Sequence, residues 1–248
     1  MTFALGVEFA PWRRRAGFEP DGGTGARQAY RMRQGDIEVS AVLTSVGAEN
    51  AARVVAQVMK ENRFDLVISS GLAGGLRDAY RPGHVLVGRS VRRLEDGREL
   101  VLPAKWVEQA KNLGAQEAVF VTSARVAGTS REKRSLGTEA DAVEMESFAV
   151  VEQAAAGGVP GVVIRVISDP VEAELPVDFN RVFDARGRVR PARLAGELLR
   201  RPATAAGLVR MARESRGASA ILAEFLDRYV NAAARNGDGG ETGNALGK

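Results

Sequence analysis

Phe64-Asp65-Leu66-Val67-Ile68-Ser69-Ser70-Gly71-Leu72-Ala73-Gly74-Gly75 decides the fold. Apart from Asp65, residues 64–68 form an unbroken apolar run rather than the alternation of a half-solvated strand, so they read as a strand covered on both faces. The Gly-rich continuation reads as the turn beyond that strand, where open α/β sheets bind their ligands. Upstream, residues 2–7 suggest a short apolar strand, 21–25 a surface turn, and 37–43 a period-2 strand. A helix follows from about Ala48, with Val54, Val55 and Val58 at helical spacing. Downstream, strands are expected over 85–91, 118–123 and 162–167, with helices over 103–112 and 147–156 between them. Strands alternating with helices to about residue 170 specify an α/β fold: a three-layer sandwich with a largely parallel, mixed central sheet flanked by helices.

After Pro170 the pattern becomes helical, over 191–200, 204–215 and 218–230, the last with Ile221, Leu222, Phe225, Leu226 and Tyr229 on one face. The expected organisation is one domain over 1–230, with a core over 1–175 and an Arg-rich helical extension over 176–230. Residues 231–248 have little to bury and are expected to form a disordered tail.

Composition narrows the chemistry. The 248 residues include no Cys and one His, which removes disulfides, iron–sulfur clusters, zinc-thiolate sites and multi-His metal cages. Charged residues from Glu8 and Arg13 onward leave no secretory apolar segment, and no apolar run approaches the ~18 residues of a membrane span. A cytoplasmic protein is expected. The net charge of +4 is uneven: residues 181–216 hold ten Arg against three acids, a local +7 that leaves −3 for the rest. Nucleic acid is a poor fit for this charge, because only 6% of residues are aromatic and the Arg residues are not interleaved with them.

Candidate chemistry gathers just past the expected strand ends: Gly6-Val7-Glu8, Ser45-Val46-Gly47, Ser70 and the glycines from Gly71, and Ser168-Asp169. Val143-Glu144-Met145-Glu146-Ser147 joins them at a helix entry. The glycines could let backbone N–H groups cradle an anion or a sugar, or could serve only tight packing. They lack the spacing of a dinucleotide site or a P-loop. Glu144 and Glu146 point the same way in extended backbone. One such carboxylate can accept both hydrogen bonds of a vicinal diol, with Met145 a soft apolar surface for a sugar, although acids also simply favour helix N-termini. Asp169, leaving a buried strand before Pro170, is placed to hold a proton as a general acid or merely to open a turn.

Together, Ser70-Gly71-Leu72-Ala73-Gly74-Gly75-Leu76, Val143-Glu144-Met145-Glu146-Ser147 and Arg165-Val166-Ile167-Ser168-Asp169 resemble, in order and spacing, the nucleoside phosphorylase and methylthioadenosine/S-adenosylhomocysteine nucleosidase superfamily. The likeness runs from residue 3 to about 170. It implies a nucleoside phosphorylase-like fold and cleavage of the N-glycosidic bond of a purine nucleoside, with adenine the expected base. It also implies no metal or cofactor and a homo-oligomeric assembly. In its terms Asp169 is the general acid, oriented by Ser168 and Arg165. Glu146 is the diol ligand beside Glu144, Met145 contacts the sugar, and Arg125-Val126-Ala127 line the base pocket. Glu8 is the residue available to activate water, although it stands earlier than the family's run of acids. If Glu8 fails to reach the water, phosphorolysis is the alternative, with inorganic phosphate as co-substrate on Arg13 to Arg15, Gly47 and the Gly71 loop. A non-catalytic nucleoside-binding protein is the alternative of another class. The Arg-rich C-terminal helices resemble the hopanoid-associated branch of the superfamily, which implies a nucleoside-lipid substrate and a peripheral contact with the inner membrane. An ordinary solvated face accounts for the same arginines.

Overall fold

The structure is a computed structural model and describes all residues except 23–27, 185, 186, 188, 201–203 and 238–248. The chain begins with β1 (Thr2–Phe3), α1 (Gly6–Ala16), β2 (Glu19–Pro20), β3 (Ala29–Gln34), β4 (Ile37–Leu43) and α2 (Ala48–Glu61). The middle comprises β5 (Val67–Gly75), β6 (Val85–Arg93), β7 (Glu99–Val101), α3 (Ala104–Asn112), β8 (Gln116–Thr122) and α4 (Ser130–Leu136). There follow β9 (Ala142–Glu144), α5 (Ser147–Ala156), β10 (Gly161–Asp169), α6 (Phe179–Val182), α7 (Pro191–Arg200) and α8 (Thr204–Gly237).

The strands form one mixed sheet in the order β10-β6-β8-β9-β5-β1-β4-β3-β2, with β7 on β6. Because β10 also pairs with β5, the five strands β5, β9, β8, β6 and β10 close on one another. The β5–β10 and β6–β8 pairs are parallel, whereas β10–β6, β5–β9 and the β2–β3–β4 ribbon are antiparallel. The apolar β10 supplies Val162, Val163, Ile164, Val166 and Ile167, all fully buried, which explains a run without alternation. Among the described residues no helix is long and apolar enough to cross a membrane.

Several expectations need correction. The strand over 2–7 stops at Phe3, and α1 starts at Gly6. Phe9 and Trp12, three residues apart, enter the core beside Phe3, while Val7 is 61% exposed, so helical spacing wins over strand alternation. The Gly71–Gly75 stretch is not a turn but the end of β5, paired with β10 as far as Gly74 opposite Asp169.

The two helices expected over 204–215 and 218–230 are one 34-residue helix, α8. Gly217 does not break it: the Ser219 hydroxyl donates back to the Ser215 carbonyl, and Ala218, Leu222, Phe225, Leu226 and Tyr229 are buried just beyond. Ile221, expected on that face, is exposed. Residues 231–237 continue α8 instead of fraying, and the remainder of the expected tail lies outside the described residues. So do most of the turn expected over 21–25 and three of the arginines of the basic segment, Arg186, Arg188 and Arg201.

Two features of this frame place the site. Trp12 is fully buried and its indole N–H donates to Asp227 at 2.5 Å, which ties α1 to α8 and fixes the helix that carries Glu8. At the far end of β10 the register against β5 slips between Ile167 and Asp169, so that Ser168 is an extra residue. Such a bulge re-aims the next side chain.

Candidate active site

Arg165 lies in the apolar run of β10 and is only 1% exposed. A guanidinium cannot stay there without acidic partners. Its Nη2 stands 2.6 Å from Glu144 Oε2 and 3.4 Å from Glu146 Oε2, and Nη1 donates to the Leu72 carbonyl at 3.3 Å. Nη2 also donates to the Ser69 hydroxyl at 3.1 Å and to the Ser147 hydroxyl at 3.0 Å. Arg165 therefore does not orient Asp169, as the resemblance implied. It holds the acidic pair of β9 and α5 instead.

Glu144 is wholly committed to the protein. Its Oε2 accepts the backbone N–H groups of Glu146 at 2.9 Å and Ser147 at 2.7 Å, and its Oε1 accepts the Thr122 hydroxyl. The first N–H groups of a helix lack internal partners, and this carboxylate satisfies them for α5. Glu146 keeps more freedom: Oε1 accepts the Gly47 N–H at 2.8 Å, and among the described residues Oε2 has only the long contact with Arg165. Burial raises the Glu146 carboxyl to about 7 against the pull of Arg165, with Glu144 and Glu8 adding repulsion and the Gly47 N–H opposing it. Met145 between them is half-buried.

Glu8 sits in the first turn of α1. Its Oε2 accepts the Leu5 N–H at 2.9 Å and its Oε1 the Leu72 N–H at 3.1 Å. Burial pushes this carboxyl above its usual range, opposed by Arg165 and by the backbone donors. Gly71 makes the approach possible: a methyl group there would stand 2.8 Å from Arg165 Nη1 and 3.0 Å from Glu8 Oε1. Gly74, three residues on, does the same for Asp169, whose Oδ2 would lie 3.3 Å from a methyl. Of the two uses open to these glycines from sequence, Gly71 and Gly74 serve the packing of acidic side chains against β5. Ser70 is buried in the same strand, its hydroxyl without a partner among the described residues.

Asp169 is held at both oxygens. The Ser168 hydroxyl donates to Oδ1 at 2.6 Å, and Lys133 Nζ donates to Oδ2 at 2.5 Å. Lys133 was not legible in sequence, and neither was Asn180, whose side chain grips Val126 by donating to its carbonyl at 3.0 Å and accepting its N–H at 2.8 Å. Both work across long separations in sequence. Thus β10 carries two stations: a guanidinium among three carboxylates at Arg165, and an acid held by a hydroxyl and an ammonium at Asp169.

Not every expected residue joins them. Arg13 lies with its guanidinium 4.4 Å from the Tyr30 ring centroid, at the basic C-terminal end of α1, and Arg15 pairs with Asp227. Arg125 is exposed, Val126 and Ala127 half-buried.

Residues 4–200 match the model of the phosphorylase superfamily. The chain belongs to that superfamily. The 5′-methylthioadenosine/S-adenosylhomocysteine nucleosidase of Staphylococcus aureus is 24% identical over 173 residues, 60% of this chain and 76% of that protein. Among solved structures, a mutant of the Helicobacter pylori nucleosidase with 5′-methylthioadenosine in its active site superposes with a TM-score of 0.72 at 17% identity, covering 93% of this chain and 96% of that one. Futalosine hydrolase of Helicobacter pylori gives 0.70 at 18% identity, covering 93% and 95%. This superfamily member shares their α/β fold with its mixed sheet flanked by helices.

Proposed function

We propose that this protein hydrolyses the N-glycosidic bond of an adenine nucleoside, releasing the base. One observation carries the choice of water over phosphate: the Arg165 station sets three buried carboxylates, Glu8, Glu144 and Glu146, around a single guanidinium. A phosphate dianion needs excess positive charge, and among the described residues this station offers the opposite. Arg13, over Tyr30, does not supply it. Water needs a base, and buried carboxylates whose proton affinity is raised are suited to that task.

Cleaving the bond passes through an oxocarbenium-like state, so the enzyme must protonate the leaving base and deliver a nucleophile to the opposite face of the sugar. Asp169, aimed by the Ser168 bulge, supplies the proton. Glu146, with its less committed oxygen, takes the ribose diol, and Met145 lies against the sugar. Glu8 accepts the proton of the attacking water, while Arg165 steadies the charge that remains. Asn180 fixes the Val126 backbone beside the base. The reaction so written uses no metal or cofactor.

Adenine release from a panel of nucleosides, with and without phosphate, tests this reading. Free ribose sugar as product is expected, and a ribose 1-phosphate would establish phosphorolysis instead. Asp169→Asn is expected to abolish release, whereas release by neither form would leave a non-catalytic binding protein.

A nucleoside-lipid conjugate of the hopanoid kind extends the proposal, with homo-oligomeric protein resting on an anionic membrane surface. It is supported by α7 and the first half of α8, which expose Leu199 (83%) and Val209 (70%) beside the exposed Arg193, Arg200, Arg210 and Arg213. Co-sedimentation with anionic liposomes should be lost when Arg193, Arg200 and Arg210 become Glu. Unchanged binding would end the membrane reading.

A further inference from the structure

Lys133 is a fully buried charged side chain beside the site, with 0% of its surface exposed. Its Nζ donates to Asp169 Oδ2 at 2.5 Å, to the Pro170 carbonyl at 3.0 Å and to the Ala173 carbonyl at 2.9 Å. An ammonium has three N–H donors, and all three are used. Its helix is fixed at both ends. Thr129 and Glu132 form a reciprocal cap at the start of α4. At its end Gly137 passes so near Leu76 that a methyl there would stand 2.3 Å from the Leu76 carbonyl oxygen.

With Ser168 donating to one oxygen and Lys133 to the other, Asp169 is an acceptor at both and carries no proton of its own in this arrangement. Glycosidic cleavage nevertheless asks it for one. The neighbouring charges are engaged elsewhere: Arg134 with Asp78 at 3.3 Å, Arg77 with Asp141 at 2.7 Å, and the exposed Glu172 near Arg81 at 3.9 Å. Arg131 of α4 is exposed.

We propose that Lys133 is a positioning residue that stores the proton Asp169 delivers to the departing base. The inference rests on the glycosidic cleavage proposed above. As the carbon–nitrogen bond breaks, its electron pair leaves with the base. A proton passes from Lys133 Nζ to the Asp169 carboxylate, and the carboxyl gives a proton to the base nitrogen. Lys133 is left neutral. Water bonds through oxygen to the sugar carbon and releases one proton to the Glu8 carboxylate. From there the proton returns by solvent to restore the Lys133 ammonium. The pair thus begins and ends each cycle as carboxylate and ammonium.

Lys133→Met and Lys133→Arg test this with two substrates: an adenine nucleoside, and p-nitrophenyl riboside, whose phenolate leaves without a proton. Lys133→Met is expected to lower kcat on the nucleoside by about 10²–10⁴-fold, the usual worth of general acid catalysis, with KM little changed. It should also draw the falling limb of the kcat–pH profile to lower pH while sparing p-nitrophenyl riboside. Lys133→Arg keeps a charge but does not release its proton at working pH, so it should be slow on the nucleoside too. Because it keeps that charge, it also serves if the Met variant does not fold. An Arg variant with wild-type rate and pH profile would overturn the inference, as would equal losses on both substrates or no loss on either. A wild-type protein that releases no base from any nucleoside would instead overturn the proposed function, and this inference with it.

Discussion

Arg165 Nη2 lies 2.6 Å from Glu144 Oε2 with both side chains out of solvent, so the two opposite charges of β10 and β9 exist only because of one another. Removing one member of such a pair strands the other, which costs about 3–5 kcal/mol. Arg165→Met leaves three buried acids without their cation and is expected to lose stability of that order in chemical denaturation. Glu144→Gln should cost less than Arg165→Met, because Arg165 retains Glu146 and the amide oxygen still accepts from the start of α5. Equal stability of Arg165→Met and wild type would refute the account of this cluster.

Glu146 gives the protein a pH dependence of known sign. Its ordinary carboxyl value is 4.5, and burial raises it to about 7 in the folded chain. Between these values the folded state keeps a proton that the unfolded chain has released, so folding is progressively disfavoured as pH rises through the window. This contribution to stability is fully present below pH 4.5 and lost by about pH 7. Glu146→Gln cannot titrate, so its Tm should fall less steeply from pH 5 to pH 8 than that of wild type. Parallel Tm curves would argue against a buried, protonated Glu146.

The same proton governs turnover. A base that still holds its proton cannot take one from water, nor can a protonated Glu146 accept both hydrogen bonds of the diol, so kcat/KM should rise with pH to a plateau as the Glu8 and Glu146 cluster gives up its protons, Glu146 at about 7. The groups interact through Arg165, so this limb belongs to the cluster as a whole. Glu8→Gln should lower the plateau by about 10²–10⁴-fold. A full-rate Glu8→Gln enzyme would remove Glu8 from the water-activating role.

Much of this was legible in sequence, and the failures have physical causes. The unbroken apolar runs of β5 and β10 announced strands covered on both faces, and the acids after them announced a site. The Arg inside Val-Val-Ile-Arg-Val-Ile was a further signal, since a charge in a buried strand demands opposite charges, but sequence could not say which of Glu144, Glu146 and Asp169 would meet it. Lys133 gave no signal at all. Ser-Arg-Glu-Lys-Arg-Ser-Leu reads as a solvated helix, and what buries one of its cations is the return of β10 and its following turn 36 residues later in the chain. The α1 boundary was missed because three apolar residues before Gly6 look alike in a strand or a loop, and only the burial of Phe9 and Trp12 settles their direction.

The glycines offer the last test, because two of them share a backbone constraint but differ in what surrounds them. Gly47 has φ of 103° and nothing within 4 Å of an added methyl, so Gly47→Ala meets no steric clash but strains the backbone whose N–H holds Glu146, a strain worth about 1–3 kcal/mol. Gly71 has φ of 143° and the Arg165 and Glu8 side chains within 3.0 Å of that methyl. Gly71→Ala must strain the backbone and also push apart the groups that bind and activate water. It should therefore be the less stable of the two. If Gly47→Ala and Gly71→Ala prove equal in stability, then the close approach of Glu8 and Arg165 to Gly71 adds nothing to the backbone strain, and this account of Gly71 is wrong.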